Sequence, residues 1–522
     1  MKDKSLNLGI SGKNVVATTQ PLAAQTGLKM IAMGGNAADA AIATAITLTV
    51  VEPTMNGIGS DAFCLIWDSK KLHGLNASGK FPRGWQFEDF AHYQEMPTEG
   101  WQSVTVPGAV SAWVELSAKF GKLPFERLFE NAIRIAKDGF KVTPVISDQW
   151  RKQLPRFSAF TEFNKVFTQN GKTPDSGALY KFPDHARTLE SIRDTRGHSF
   201  YQGNLAEKMV EHSTNCGGKL CLDDLASHSS QWVDPIQTVY RDIEIHELPP
   251  NTQGLGTSLA LSIIDKFEEQ ITTLSKAKKV HLEIEATKLA LIEIYRELSD
   301  PNFMNVSVEE LLSEDHIQKL VKKLSLERTL DVNPPATNSS ETVYLTAADS
   351  EGMMVSFIQS NYMGFGSGVV VPKTGISLQN RGAGFIIEKD HPNCVQGNKL
   401  PFHTIIPGFI TQSGAALSSF GLMGGDMQAQ GHVQLTRALI RDNLSPQEAI
   451  DMPRWKIRKD GKILIENGME REVLETLAKL GHPLVEVPYG TYDFGASQVI
   501  VRDHEQYLAG SESRRDGIAV SF

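Results

Sequence analysis

Residues 37–51 form an alanine-rich run that would be apolar around its whole circumference as a helix. Asn36 stands directly before the run and is a preferred N-cap residue, and Gly34-Gly35 ends an amphipathic helix predicted for residues 21–33. The run is shorter than the roughly 20 residues that a membrane span needs, and it contains Asp39. Because a helix without a polar face must be covered on every side, these residues are predicted to lie inside the fold.

The pattern changes near residue 342, where strands become the dominant prediction. Residues 342–348 and 353–359 flank the hairpin turn Asp349-Ser350-Glu351-Gly352. Other strands are predicted at residues 14–19, 61–67, 404–411, 417–422, 484–487, 496–502 and 506–509. Helices are predicted at residues 109–120, 125–138, 283–298, 427–442, 446–452 and 470–480, and residues 152–224 are expected to be helical and peripheral. Strand pairs that alternate with helix pairs favour an α+β fold in which sheets lie between helical layers.

Composition and charge restrict the function classes. The 522 residues are 41% hydrophobic and 22% charged, which is normal for a globular protein with a large core. The net charge of −9, without a Lys/Arg-rich run, argues against nucleic acid as a partner. The N-terminal residues lack the apolar segment of a secretory signal, so a cytoplasmic location without membrane association is expected. Residues 333–340, rich in polar residues and proline, are interpreted as a linker or a surface loop.

The cysteines do not indicate a metal site. Cys64 and Cys394 are isolated, and the spacing between Cys216 and Cys221 is not that of a zinc knuckle. No second pair with nearby histidines completes a ligand set. We therefore expect reduced, structural cysteines, and neither a metal nor an organic cofactor.

Thr342 opens the first strand of the hairpin and follows the polar run Asn338-Ser339-Ser340-Glu341. Ser360 lies about as far from the bend on the second strand, so the two hydroxyls could form a hydrogen bond. A threonine hydroxyl is a poor nucleophile without a base. A cut before Thr342 would supply that base, because the new α-amino group has a pKa of about 7.7–8.0. Taken alone, a threonine at the start of a strand is ordinary, since threonine favours strands.

These residues resemble the small-subunit core of the γ-glutamyltranspeptidase family. Other similar segments, spread over nearly the whole chain, are Gly34-Gly35-Asn36-Ala37-Ala38-Asp39-Ala40-Ala41, Glu52-Pro53, Gly57-Ile58-Gly59-Ser60-Asp61, Thr105-Val106-Pro107-Gly108, Ala136-Lys137-Asp138-Gly139-Phe140 and Gly364-Phe365-Gly366-Ser367-Gly368. The resemblance implies a four-layer αββα sandwich of the N-terminal nucleophile hydrolase type. It also implies self-cleavage into a large subunit, residues 1–341, and a small subunit, residues 342–522.

The same resemblance assigns the catalytic roles. Thr342 takes the place of the family's nucleophile, and Ser360 takes that of the second hydroxyl that tunes it. Gly424 and Gly425 match the glycine pair whose N–H groups form the oxyanion hole, a role that suits a flexible turn before a helix. Without the resemblance, this pair would equally suit a plain strand-to-helix turn.

The predicted substrate-binding positions depart from the family pattern. Arg381 stands where the family has glutamine, and Gly384 stands where it has the aspartate that holds the substrate ammonium. His403 and Thr404 replace a serine pair. Tyr362 replaces an asparagine, and Lys80 is the cation left near the large-subunit arginine motif. Gaining an arginine and losing the aspartate suits a carboxylic acid without an α-amino group, as in the branch of oxamate amidohydrolase and cephalosporin acylases.

Three functions stay open at this point. The leading hypothesis is a self-processing amidohydrolase or acyltransferase that cleaves a small carboxylate-bearing amide, oxamate-like or glutaryl-like, through an acyl-threonine intermediate. The alternatives are a true γ-glutamyltransferase or glutathione hydrolase, and a non-catalytic binding protein on the same fold. Arg381 could also serve a structural ion pair, and His403 could be a buried core histidine. Residues 364–368 lack the Gly-Lys-Ser/Thr ending of a phosphate-binding loop and are not interpreted as one. Whether the processed unit forms a dimer is also open.

Overall fold

The computed structural model describes residues 9–335 and 342–522 in full and residue 341 by its backbone. Its strands are β1 Ile10–Gly12, β2 Val15–Thr18, β3 Asp61–Trp67, β4 Leu72–Ala77, β5 Phe140–Lys141, β6 Leu179–Tyr180, β7 Gln231–Val233, β8 Ile236–Tyr240, β9 Ile243–Glu247, β10 Glu341–Ala348, β11 Met354–Tyr362, β12 Gly408–Gln412, β13 Ala415–Leu422, β14 Trp455–Ile457, β15 Ile463–Glu466, β16 Leu484–Val487, β17 Ser497–Asp503, β18 Gln506–Ser511 and β19 Ile518–Ser521.

The α-helices are α1 Pro21–Ala32, α2 Ala37–Val51, α3 Ala109–Phe120, α4 Glu130–Asp138, α5 Pro144–Gln153, α6 Thr161–Phe167, α7 Pro183–Thr195, α8 His198–Tyr201, α9 Asn204–Asn215, α10 Leu222–Ala226, α11 Gly254–Asp265, α12 Glu268–Ile271, α13 Lys276–Glu297, α14 Val308–Leu311, α15 Glu314–Val321, α16 Met427–Thr436, α17 Pro446–Asp451 and α18 Arg471–Lys479. A π-helical turn, Arg437–Arg441, continues α16.

Two antiparallel sheets form the middle of the molecule. Within the described chain, the first has the strand order β19-β2-β10-β11-β3-β4-β7 and the second the order β1-β18-β17-β13-β12-β9-β8. The sheets share an apolar layer that includes Phe63, Tyr344, Ile358, Phe409 and Ile500. Each sheet contains strands from both sides of residue 342, so neither half of the chain completes a sheet alone.

Helices cover the outer face of each sheet. α2 packs on β10 and β11 of the first sheet, and α11 packs on β8 and β9 of the second, with α13 and α16 beside it. Separate apolar clusters fill the two helix–sheet interfaces. The predicted α+β fold with four layers, αββα, is therefore confirmed.

Helix α2 is buried as its sequence predicts. Each of its residues from Ala37 to Val51 is buried. Asn36 Oδ1 accepts the N–H of Asp39 at 3.1 Å, and Asp39 Oδ2 accepts the N–H of Asn36 at 3.1 Å, which forms a capping box. In the parts of the chain that the structure describes, no helix has the length and apolarity to span a bilayer.

Several element predictions were wrong at their ends. The strand predicted from residue 404 begins only at Gly408, because the chain before it pairs with the loop at Thr252 instead. The helix predicted at residues 125–138 begins as a 3₁₀ segment, Phe125–Phe129, and the helix predicted to start at residue 283 already starts at Lys276. The elements that were not predicted are strands β1, β4, β5, β6, β7, β8, β9, β14, β15 and β19 and helices α5, α11, α12, α14 and α15.

Residues 152–224 are helical as predicted, but they are not peripheral. Phe163 and Phe167 lie against Phe365, with ring centroids 4.9 and 4.7 Å apart. Phe365 is the apolar residue in the glycine-rich segment at residues 364–368, and it is fully buried. The segment therefore inserts an aromatic anchor into the core. Cys64 is buried, Cys216 is exposed, and all four cysteines are free in the structure.

Candidate active site

Thr342 and Ser360 face each other across the β10–β11 hairpin. The register shifts between Glu341 and Val343, and this irregularity brings the Thr342 hydroxyl to within 3.0 Å of Ser360 Oγ, to which it donates. The N–H of Tyr362 donates to the same Ser360 oxygen at 2.8 Å. Both hydroxyl residues are fully buried. The Ser360 oxygen is thus held in place to accept a hydrogen bond from the Thr342 hydroxyl.

Gly424 and Gly425 form the turn between β13 and α16. Their φ angles are +125° and +66°, in the region that favours glycine. Their carbonyls accept the N–H groups of Met427 and Gln428. Among the described residues, neither glycine N–H donates to a protein acceptor, so both are free to bind an oxyanion at a helix N-terminus.

Arg381 is a buried cation with spare donors. Its side chain is 1% exposed, its Nη1 donates to Thr404 Oγ1 at 2.9 Å, and its guanidinium lies 4.0 Å from the ring centroid of Tyr362. Within the described residues, its Nε and Nη2 have no hydrogen-bond partner. Burial lowers the pKa of Arg381 to about 10, so it stays charged at neutral pH. Unpaired buried donors on a cation are costly and indicate an anionic ligand.

Asp61, at the start of β3, is an ionisable group that the sequence analysis did not assign to the site. Its Oδ1 accepts the N–H of Gly108 at 3.2 Å, and its Oδ2 lies 3.2 Å from His403 Nε2. Burial raises the pKa of Asp61 to about 7, although the charge of Arg381 and the N–H groups of Gly108 and Gly79 act in the opposite direction. The one sequence signal was its place in the segment Gly59-Ser60-Asp61.

His403 is neutral, and its contacts fix its tautomer. Ile405 N–H donates to Nδ1 at 3.4 Å, so the ring proton lies on Nε2 and points at Asp61. Burial and the neighbouring Arg381 charge hold the pKa of His403 well below its usual value. The ring also meets Phe63 edge-on at 4.6 Å. His403 therefore positions Asp61 and does not itself supply a positive charge.

Two glutamines connect the parts of the site, and neither was predicted. Gln253 Nε2 donates to the carbonyls of Thr404 and Gly425, the second at 2.8 Å, and so joins the Arg381 side of the site to the glycine turn. Gln379 Oε1 accepts the backbone N–H of Arg381. Isolated glutamines in loops give no sequence signal, so only the packing identifies these two.

The structure places Lys80 and Gly384 in two different cavities, and Tyr362 lines the cavity of Gly384 but not that of Lys80. Lys80 is exposed and lines a cavity of about 420 Å³ together with Asn76 and Ser78. Gly384 ends the 3₁₀ turn that begins at Arg381, and a Cβ there would lie 2.7 Å from the Phe402 carbonyl oxygen. The backbone thus leaves no space for a side chain at the position where the family carries its aspartate.

Comparisons with known proteins identify the family of the chain. The sequence profile of the γ-glutamyltranspeptidase family matches residues 23–522. A glutathione hydrolase-like YwrD proenzyme of Bacillus subtilis (strain 168) is 32% identical over 98% of this chain and 99% of its own length. An oxamate amidohydrolase proenzyme of Klebsiella pneumoniae is 30% identical over the same shares.

A solved structure shows the same fold at higher identity. The cephalosporin acylase from Bacillus halodurans superposes with a TM-score of 0.94 at 41% identity, covering 100% of this chain and 98% of that one. Both sheets and their helical layers therefore have counterparts in a known acylase. The chain belongs to the γ-glutamyltranspeptidase family and is an N-terminal nucleophile hydrolase that acts on amide bonds.

Proposed function

We propose that the chain cuts itself between Glu341 and Thr342 and that Thr342 then serves as the nucleophile of an amidohydrolase or acyltransferase. The observation that carries this proposal is the hydrogen bond of 3.0 Å from the buried Thr342 hydroxyl to Ser360 Oγ. The relatives named as proenzymes support a precursor that is processed.

The proposed processing begins when Thr342 Oγ1 attacks the carbonyl carbon of Glu341. The C–N bond of that peptide breaks, its nitrogen takes the hydroxyl proton, and an ester joins the two parts. Water then hydrolyses the ester, which leaves a carboxylate on Glu341 and a free hydroxyl and α-amino group on Thr342. With a pKa of about 7.7–8.0, that amine can accept the proton of Oγ1 in each later turnover.

In turnover, Thr342 Oγ1 would attack the substrate carbonyl while the N–H groups of Gly424 and Gly425 stabilise the oxyanion. The amine leaves with a proton, and water or an acceptor amine releases the acyl group from the threonine. The unpaired Nε and Nη2 of Arg381 would bind a carboxylate on the acyl group, with Thr404 and Tyr362 holding the guanidinium in place. These contacts favour substrates whose acyl group is a small acid without an α-amino group, oxamate-like or glutaryl-like.

True γ-glutamyl transfer is the second candidate, and the name of the Bacillus subtilis relative favours it. It requires a carboxylate for the substrate ammonium, and Gly384 supplies none. Asp61 is an acid whose charge acts on Arg381, but its oxygens face Gly108 and His403. We therefore propose that γ-glutamyl amides are the poorer substrates.

Mass spectrometry of Thr342→Ala and of the native chain tests the proposal. The native protein should yield two fragments, the smaller beginning at Thr342, whereas the variant should remain a single chain of 57.4 kDa. Thr346→Ala is the matched control, because its hydroxyl lies on the same strand but bonds Ser419 at 2.6 Å, and it should still be cut. Cleavage of Thr342→Ala at the same bond would refute the proposal.

A further inference from the structure

The turn formed by Gly424 and Gly425, the oxyanion turn of the proposed function, contains no side chain that could hold it in place. Glycine adopts many backbone conformations, so the direction of the two N–H groups depends on the anchors at either end of the turn. At the β13 end, the N–H of Met423 donates to the Ala496 carbonyl at 2.9 Å. At the α16 end, the first side chain after the turn is that of Asp426. Its contacts are therefore placed to fix that end of the turn.

Asp426 forms a buried ion pair with Lys456 of β14. Lys456 Nζ lies 3.2 Å from Asp426 Oδ1, and the two side chains are only 6% and 1% exposed. Burial raises the pKa of Asp426, and the charge of Lys456 acts in the opposite direction. Breaking a buried pair is strongly unfavourable because it leaves a charge without its partner. The pair therefore ties the first turn of α16 to β14.

Two glutamines continue this attachment along the same face of α16. Gln430 and Gln434 follow Asp426 at intervals of four residues, which places the three side chains in one row. Gln430 Oε1 accepts the N–H of Ile457 at 2.7 Å. Gln434 Oε1 accepts the N–H of Trp455 at 3.1 Å. The ion pair is the member of this row nearest to the glycines, so its loss frees the first turn while the rest of the helix stays attached to β14.

We infer that Asp426 and Lys456 are positioning residues for the oxyanion turn. The inference rests on the proposed function. The pair acts by holding the N–H groups of Gly424 and Gly425 in the direction that the oxyanion requires, without touching the substrate itself. Because these N–H groups bind the oxyanion in the transition state, loss of the pair should lower kcat and leave KM nearly unchanged.

The test compares Lys456→Met with Lys288→Met on fully cut protein. Lys288 forms another buried ion pair, with Nζ 2.9 Å from Glu285 Oε1 on α13, so the same substitution breaks an equivalent contact outside the site. Both variants should lose thermal stability. Only Lys456→Met should lower kcat for a glutaryl amide, by about tenfold to 100-fold, because a displaced oxyanion donor retains part of the effect that its removal abolishes.

Two further measurements separate positioning from a general loss of structure. Lys456→Arg keeps the positive charge and should recover most of the native kcat. The second measurement uses 4-boronobutanoic acid, because addition of Thr342 Oγ1 to its boron gives a tetrahedral adduct with an oxygen in the oxyanion position. Lys456→Met should raise its Ki by about the factor lost in kcat, and should leave unchanged the Ki of glutarate, which forms no adduct.

Three results would overturn the inference. One is a native kcat in folded Lys456→Met. Another is an equal loss of kcat in Lys456→Met and Lys288→Met. The third is a change confined to KM and to the Ki of glutarate. If Lys456→Met does not fold, Asp426→Asn, which removes the charge and keeps the shape, is measured in its place and the same results decide. A native enzyme that cleaves no amide would instead refute the proposed function, and this inference with it.

Discussion

At the scale of single residues, the proposed function makes Arg381 the group that binds the substrate carboxylate. Replacing it with glutamine removes two unpaired donors and the positive charge, and losing such a clamp costs about 1.5–3 kcal/mol. We expect Arg381→Gln to lower kcat/KM for a glutaryl or oxalyl amide roughly tenfold to 150-fold, and to affect a γ-glutamyl amide less. Arg83→Gln, which breaks an ion pair with Asp224 elsewhere, is the control and should change neither. An equal loss of kcat/KM on both substrates in Arg381→Gln would contradict the proposal that Arg381 binds the carboxylate.

We expect the binding of a carboxylate by Arg381 to depend on pH because of Asp61. Its pKa is raised to about 7, so it is largely protonated below pH 7 and carries a negative charge above it. A substrate carboxylate on Arg381 favours the neutral form, and the complex therefore binds more protons than the free enzyme. Binding must then weaken as the pH rises above 7.

The measurement for Asp61 is the Ki of glutarate as a competitive inhibitor from pH 6 to pH 9. It should rise by up to tenfold per pH unit above 7 in the native enzyme. Asp61→Asn should lose this component and keep any contribution from the Thr342 amine, which titrates near pH 8. If the two profiles coincide, Asp61 is not linked to carboxylate binding.

At the scale of elements, the turn between β13 and α16 depends on glycine. A Cβ on Gly424 would lie 3.1 Å from Gly495 Cα, at a φ of +125°. We expect Gly424→Ala to displace the N–H donors and to slow both self-cleavage and turnover by about 10²-fold or more. Gly414, at the other end of β13, has a φ of +77°, and a methyl group there would have no neighbouring atom within 4 Å, so Gly414→Ala bears a similar backbone strain away from the site. Equal rates for the two variants would argue against the turn as an oxyanion site.

At the scale of the whole molecule, the proposed cut does not divide the fold. β10 pairs with β2, β11 with β3, and β18 with β1, so each sheet joins strands from both sides of residue 342. The cut fragments should therefore elute together in size-exclusion chromatography at the volume of uncut Thr342→Ala, and separate only on a denaturing gel. Fragments that part on dilution without denaturant would show that the sheets do not hold them together.

Much of the fold could be predicted where a local pattern has a single structural solution. The apolar run after Asn36 can only be a buried helix, and α2 has the predicted cap. β3 and α3 have the predicted bounds, because a continuous apolar run and a helical periodicity, respectively, coincide with clear end signals there. β8 and β9 were missed. Their place in the second sheet comes from the pairing of β9 with β12, far along the chain, and of β8 with β9.

The candidate site divides in the same way. The sequence alone determined the family, the layered architecture and the expected roles of Thr342, Ser360 and the glycine pair, because these depend on motifs of adjacent residues and on hairpin register. Only the tertiary structure brought Asp61 against His403, left two donors of Arg381 unpaired and placed Lys80 in another cavity. The contact between Asp61 and His403 joins residues that lie 342 positions apart in the chain. Burial and distance determine the charge of each side chain in the site and which of its donors remain unpaired. Neither quantity can be derived from a local sequence pattern.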